Sequence, residues 1–318
     1  MINRIQTYIL VLFFALVALV SSANAEVKVV TSIKPIHSFV SYIMDGVGKP
    51  DVIVDGYNSP HNFSLKPSHA KMLENADLVI WVGENLETFL EKPLNTIAKK
   101  AKNIEIMDLK GIKKLEFREK NIFEEHDEHG HDEHKEHDEH KEKDSHEGHA
   151  HGEHDPHVWL DPINAKLIIK EITKQLVQLD AKNSSAYKLN SKKALAEMDN
   201  LIQTIQKDLN KDLRFVVFHD AYQYFENRFG IQVLGALTIN TDVMPGAEQL
   251  SEIREVIEHE KVNCLFSEPQ FNPAIIKSIA KDTNVKIGTL DPLGAKLDKG
   301  KNLYFNLLKD MSSSFKGC

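Results

Sequence analysis

The stretch Ser64-Leu65-Lys66-Pro67-Ser68, the helical run Ser68–Asn75 behind it, and then Asp77-Leu78-Val79-Ile80-Trp81-Val82 decide the fold class. After Asp77 the run is apolar and rich in β-branched residues, with no polar alternation. That is the pattern of a strand buried on both faces, as in parallel sheets. A helix feeding such a strand is part of an α/β unit. Upstream, Val27–Thr31 reads as another buried strand, and Asn103–Met107 downstream as a weaker one. The style returns late in the chain. Arg214–Phe218, Ile231–Leu237, Val262–Phe266 and Val285–Leu290 read as strands, and Gly246–Glu260 and Pro273–Asp282 as helices. Pro245-Gly246-Ala247-Glu248 opens a helix that leads to a strand ending Phe266-Ser267-Glu268, an echo of the 64–83 unit. The expected architecture is α/β, with two lobes of parallel sheet flanked by helices.

Between the lobes, Ile163–Phe229 contains neither Gly nor Pro. Leu195, Met198, Ile202, Ile205 and Leu209 recur at helical spacing and predict one long helix over Ser184–Asn210, capped by Asn183 or Ser184. At about 1.5 Å per residue it would be roughly 40 Å long, enough to cross both lobes; two shorter helices are the alternative. This divides the chain into a lobe over 26–182, a linker helix over 183–211 and a lobe over 212–318. The lobes are expected to touch across a wet, partly polar cleft.

The 318 residues suit about two domains. With 39 Lys and Arg against 47 Asp and Glu, the net charge is −8, which argues against nucleic acid as a partner. Residues 1–25 read as a secretory signal. Arg4 precedes the twelve apolar residues Ile9–Val20, and Ala23-Asn24-Ala25 fits small-x-small cleavage. The apolar run is shorter than the roughly 20 residues a spanning helix needs, and no Cys follows it for a lipid anchor. The mature chain is expected to be exported, soluble and not inserted in the membrane. In an oxidising compartment Cys264 and Cys318, the only cysteines, have a disulfide as their expected use. Two free thiols or a Cys metal site are the alternatives.

Sixteen His is an unusual number, and ten fall in Glu124–Asp155: His126, His129, His131, His134, His137, His140, His146, His149, His151 and His154. Ala150 is the one apolar residue there. Such a segment cannot offset the entropy of folding, so a disordered His-rich loop is expected over 118–155. Imidazoles beside carboxylates make weak metal sites. Three of the other six His stand where a site would be built. His61 sits in a loop between a strand and a helix, His157 follows the tract, and His219 ends the strand Phe215–Phe218. Ligands of open α/β sheets bind outside the carboxyl ends of strands, and three His converging there would make a zinc site. His69 and His259 read as surface residues, and His37 as a packing or capping residue.

These residues resemble the substrate-binding proteins of bacterial zinc ABC importers, the ZnuA-like type. The motifs are Pro60-His61-Asn62-Phe63-Ser64-Leu65-Lys66-Pro67-Ser68, Ala76–Gly83, His157-Val158-Trp159-Leu160, Phe218-His219-Asp220-Ala221-Tyr222, Ser267-Glu268-Pro269-Gln270-Phe271 and Thr289-Leu290-Asp291-Pro292-Leu293-Gly294, preceded at His157 by a His-rich loop. The resemblance implies two α/β lobes joined by a long helix, with a metal in the interlobe cleft. It implies His61, His157 and His219 as Zn²⁺ ligands and Asp291 as the carboxylate ligand, with Glu268 or water as the alternatives. Some members carry the pair that Cys264 and Cys318 match. Manganese-binding relatives carry Glu where His219 stands, so zinc is favoured. Pro60 departs from zinc members that place an acidic residue there. The implied function is capture of periplasmic zinc and delivery to a membrane ABC permease, by a monomer that is not an enzyme. The rivals are a zinc hydrolase, a periplasmic zinc buffer and a manganese-importer component. The sequence carries no H-E-x-x-H or G-x-S-x-G to support the first.

Overall fold

The computed structural model describes residues 26–123, 154–239, 241, 243 and 245–318. The expected signal segment, and every tract histidine except His154, lie outside these residues. The first half runs β1 (Val29–Ile33), α1 (Lys34–Ile43), β2 (Asp51–Val54), α2 (Pro67–Glu74), β3 (Leu78–Trp81), α3 (Thr88–Thr96) and β4 (Lys102–Glu105). A 3-10 turn at Val158–Leu160 then leads into α4 (Pro162–Leu179) and α5 (Ser184–Asp208). The second half runs β5 (Arg214–His219), α6 (Gln223–Phe229), β6 (Gln232–Thr238), α7 (Ala247–His259), β7 (Cys264–Ser267), α8 (Ala274–Thr283), β8 (Lys286–Thr289) and α9 (Leu303–Lys316).

Each half forms a four-stranded parallel sheet, in the orders β2-β1-β3-β4 and β6-β5-β7-β8. The two orders are the same pattern, which is the structural content of the sequence echo. β1 and β3 are buried along their whole length, β3 as a continuous apolar run and β1 with Thr31 and Ser32 buried among its apolar residues, as expected when helices cover both faces.

The long helix is one unbroken element, α5, of 25 residues. Its buried stripe is Tyr187, Ser191, Ala194, Met198, Leu201 and Ile205. The expected Leu195 and Ile202 are only partly buried. The stripe is turned because α5 is wedged among α1, α4 and α9, where small side chains allow close approach between helices. Neither expected cap forms at its start; Asn183 instead donates through Nδ2 to Asp180 Oδ2 at 2.6 Å.

One apolar core joins the two halves, where a wet boundary was expected. It contains the first sheet, α1, α4, α5 and α9, and the inner face of the second sheet through Phe215, Val217 and Phe266. Helix α9 packs on α1, with Phe39 and Tyr304 ring centroids 4.5 Å apart. A second cluster, including Val216, Leu265, Ile253 and Ile279, lies under α7 and α8. Cys264 on β7 and Cys318 behind α9 form a disulfide with Cα atoms 5.9 Å apart, within the bridging range.

The expected loop over 118–155 is ordered at both of its ends. Arg118 bonds Asp220 and Glu226, Phe123 N donates to Leu234 O, and Asp155 N donates to Leu115 O. Residues 121–123 thus cover the edge strand β6. Gly235 makes room for them, since a Cβ there would stand 2.7 Å from Asn121 O.

Candidate metal centre

Loops that follow β2, β7 and β8, together with the last residue of β5, line one small cavity. His219 ends β5 and is 3% exposed. Its Nδ1 lies 3.1 and 3.2 Å from Glu268 Oε1 and Oε2. His157 is equally buried, and its Nδ1 lies 2.7 Å from Asp155 Oδ1, which also accepts the His157 backbone N–H at 2.9 Å. A carboxylate on Nδ1 fixes that nitrogen as the donor and leaves Nε2 as a lone-pair ligand. In His219 this Nε2 is buried without any hydrogen-bond partner.

His61 completes the group from the loop between β2 and α2. Its ring centroid lies 5.5 Å from that of His157 and 5.4 Å from that of His219, and those two are 4.9 Å apart. The potential ligand atoms of all three lie within 4.8 Å of one another. Tetrahedral zinc, with bonds of about 2.0–2.1 Å, would hold its nitrogens about 3.3–3.4 Å apart. A small convergence therefore suffices.

Burial, reinforced by the neighbouring imidazoles, holds His61 and His157 well below the ordinary imidazole pKa. Burial also lowers His219, but Glu268, then Asp220 and Asp155, outweigh it and raise the pKa. Asp155 is pushed up to about 7 by burial, against the pull of its bond from the His157 amide. Arg118 sits behind this layer and opposes the burial that lifts Asp220 to about 6 and Glu226 to about 7.

Asp291 is not brought to the group. Its Oδ1 accepts from Gln270 Nε2 at 2.9 Å and from Leu293 N at 3.2 Å, so it is already occupied by two donors. Glu268 lines the cavity but is engaged with His219. His154 is half-buried in a bridge with Glu116, outside the group. His37 is buried, with Nε2 3.2 Å from Pro50 O. His69, expected at the surface, is buried and its Nδ1 accepts from Lys66 N at the start of α2. His259 is exposed. Asp155, Gln270 and Arg118 were not singled out from sequence. Only Asp155 carried a signal, as a carboxylate two positions before a candidate ligand.

The family described as "ZnuA: Zinc-uptake complex component A periplasmic" matches the chain over residues 29–318. The chain belongs to this family. A ZnuA relative from Brucella abortus, named a high-affinity zinc uptake system protein, is 45% identical over 312 residues, covering 94% of this chain and 93% of its own. One of the same name from Haemophilus ducreyi is 42% identical, covering 97% of each chain. The fold matches a crystal structure of ZnuA with a TM-score of 0.74 at 24% identity, over 92% of this chain and 98% of that one. No helix among the described residues is long and apolar enough to cross a membrane.

Proposed function

We propose that the mature chain is a soluble, monomeric periplasmic zinc-binding protein that captures Zn²⁺ through His61, His157 and His219 and delivers it to the ABC permease of a zinc importer. The observation that carries this reading is the convergence of three imidazoles in a buried cavity. Two of them are kept neutral by burial, which is the form a metal requires. The cavity volume, about 10 Å³, is far below the roughly 300–1,000 Å³ of organic-ligand pockets and suits an ion or a single water. An all-imidazole set suits zinc better than manganese, which prefers carboxylate and carbonyl oxygen. Both carboxylates against the histidines are bonded to ring nitrogens, so neither stands free as the general base a hydrolase needs. The ZnuA name of the relatives points the same way. Titration of metal-free protein with Zn²⁺ and Mn²⁺ against a chromogenic chelator tests it. One tight Zn²⁺ site, lost in His61→Ala, His157→Ala and His219→Ala, is expected. Equal or tighter Mn²⁺ binding would contradict it.

A further inference from the structure

Gln270 lines the same cavity as the three histidines. Its Nε2 donates to Asp291 Oδ1 at 2.9 Å. Geometry fixes that orientation, because the same Asp291 oxygen accepts from Leu293 N, so the NH₂ end of the amide must face it. The amide oxygen is then turned away from Asp291. Gln270 Oε1 is buried and has no hydrogen-bond partner. Asp291 cannot easily let go, since Leu293 N also donates to the same carboxylate oxygen. A buried acceptor without a donor is costly, and native structures rarely leave one without a reason. The cavity therefore offers two orphans of complementary kind: the His219 Nε2 lone pair, which wants a cation, and the Gln270 oxygen, which wants a proton donor.

A bare ion held by a carboxylate would satisfy only the first. A metal-bound water satisfies both, because its oxygen takes the open coordination position and its protons, sharpened by the metal's charge, can be donated. We propose that Gln270 Oε1 accepts a hydrogen bond from the water that completes the zinc coordination, and that Asp291 is a positioning residue acting through Gln270 rather than a ligand. The inference rests on the three-histidine reading above. It also assigns a selectivity. A carbonyl oxygen facing the fourth position favours a ligand that can donate and repels an anion that cannot, so water is kept there and small anions are excluded.

Anion binding to the Co²⁺-loaded full-length mature chain tests this. One equivalent of Co²⁺ is added, the d–d bands are recorded, and azide is titrated. Wild type should bind azide weakly. Gln270→Leu should bind it about tenfold more tightly or better, the scale of one lost hydrogen bond and its repulsion. Asp291→Asn can accept as well as donate, so it frees the Gln270 amide to turn, and azide should tighten again while the azide-free bands stay as in wild type. The double substitution should add nothing to Gln270→Leu alone. If Gln270→Leu does not fold, Gln270→Met keeps the length of the side chain and carries the same expectation. Unchanged azide affinity in the folded Gln270 variant overturns the proposal. So do altered azide-free bands with loss of Co²⁺ affinity in Asp291→Asn, which would make Asp291 a ligand. Failure of the underlying reading looks different: wild type would hold no tight Co²⁺, or His61→Ala would leave the bands untouched.

Discussion

On one side of the metal centre, His157 and His219 are buried and each is fixed through Nδ1 to a buried carboxylate. On the other side, His61 is half-buried, and its ring makes no hydrogen bond among the described residues. The hydrogen bonds of its loop are local, such as Asn58 Nδ2 to Asp55 O and His61 N to Ser59 Oγ, apart from the anchoring of Asp55 by Lys299 at 3.0 Å. The contrast indicates a division of labour. On the proposed reading, the shared core would set the first pair in place before metal arrives, and the metal would recruit the third ligand.

The largest effect should separate the two sides by stability. His157→Ala and His219→Ala should each weaken zinc binding by more than about a hundredfold. They should also lower the melting temperature of the metal-free protein by several degrees, since Asp155 or Glu268 loses its partner, at about 1–3 kcal/mol. His61→Ala should lose zinc affinity as severely yet melt like wild type without metal. Equal melting losses in all three would erase the contrast. Next, Asp155→Asn and Glu268→Gln should weaken zinc binding about 10–100-fold by disturbing the histidines they orient. Affinities within twofold of wild type would show that the carboxylates do not hold the pair.

The dependence on pH sharpens the contrast further. Because its pKa is raised, His219 is the first of the three to be protonated as pH falls, at the very Nε2 a metal needs. His61 and His157 stay neutral to much lower pH. Zinc affinity should therefore fall with decreasing pH, starting above the ordinary imidazole range, by about tenfold per pH unit, one proton per metal. A slope of three protons beginning there would contradict the assigned shifts. The smallest effect should be on overall shape. The lobes share one core, so solution scattering with and without zinc should give the same radius to within about 1 Å, against the larger change of a hinged clamp.

Much of this was legible in sequence, for identifiable reasons. Strands such as Leu78–Trp81 are buried on both faces and announce themselves by composition. The existence of α5 followed from its spacing, as did the burial of Met198, Ile205 and Leu209, but not that of Ser191 and Ala194, which are buried only by the helices packed around them. The expectation of a wet, partly polar cleft between the lobes holds only in part: Arg118 and Arg228 reach carboxylates of the other half, but an apolar core also joins the two halves. The cause is α9, whose Tyr304 and Phe305 carry the chain's end back onto α1, a long-range docking that no local pattern encodes. The three histidines were readable because His219 ends a strand, His61 lies between a strand and a helix, and His157 follows the tract. The placement of Asp291 was not, because it depends on Gln270, 21 residues away in sequence.

The most direct test of the pre-set pair and the recruited third ligand is amide hydrogen exchange, compared between metal-free and one-equivalent zinc protein. The account predicts that protection gained on zinc binding concentrates in 56–65, while 157–161 and 219–222 are already protected without metal and change little. Equal gains on both sides of the site, or a gain confined to 157–161 and 219–222, would contradict it.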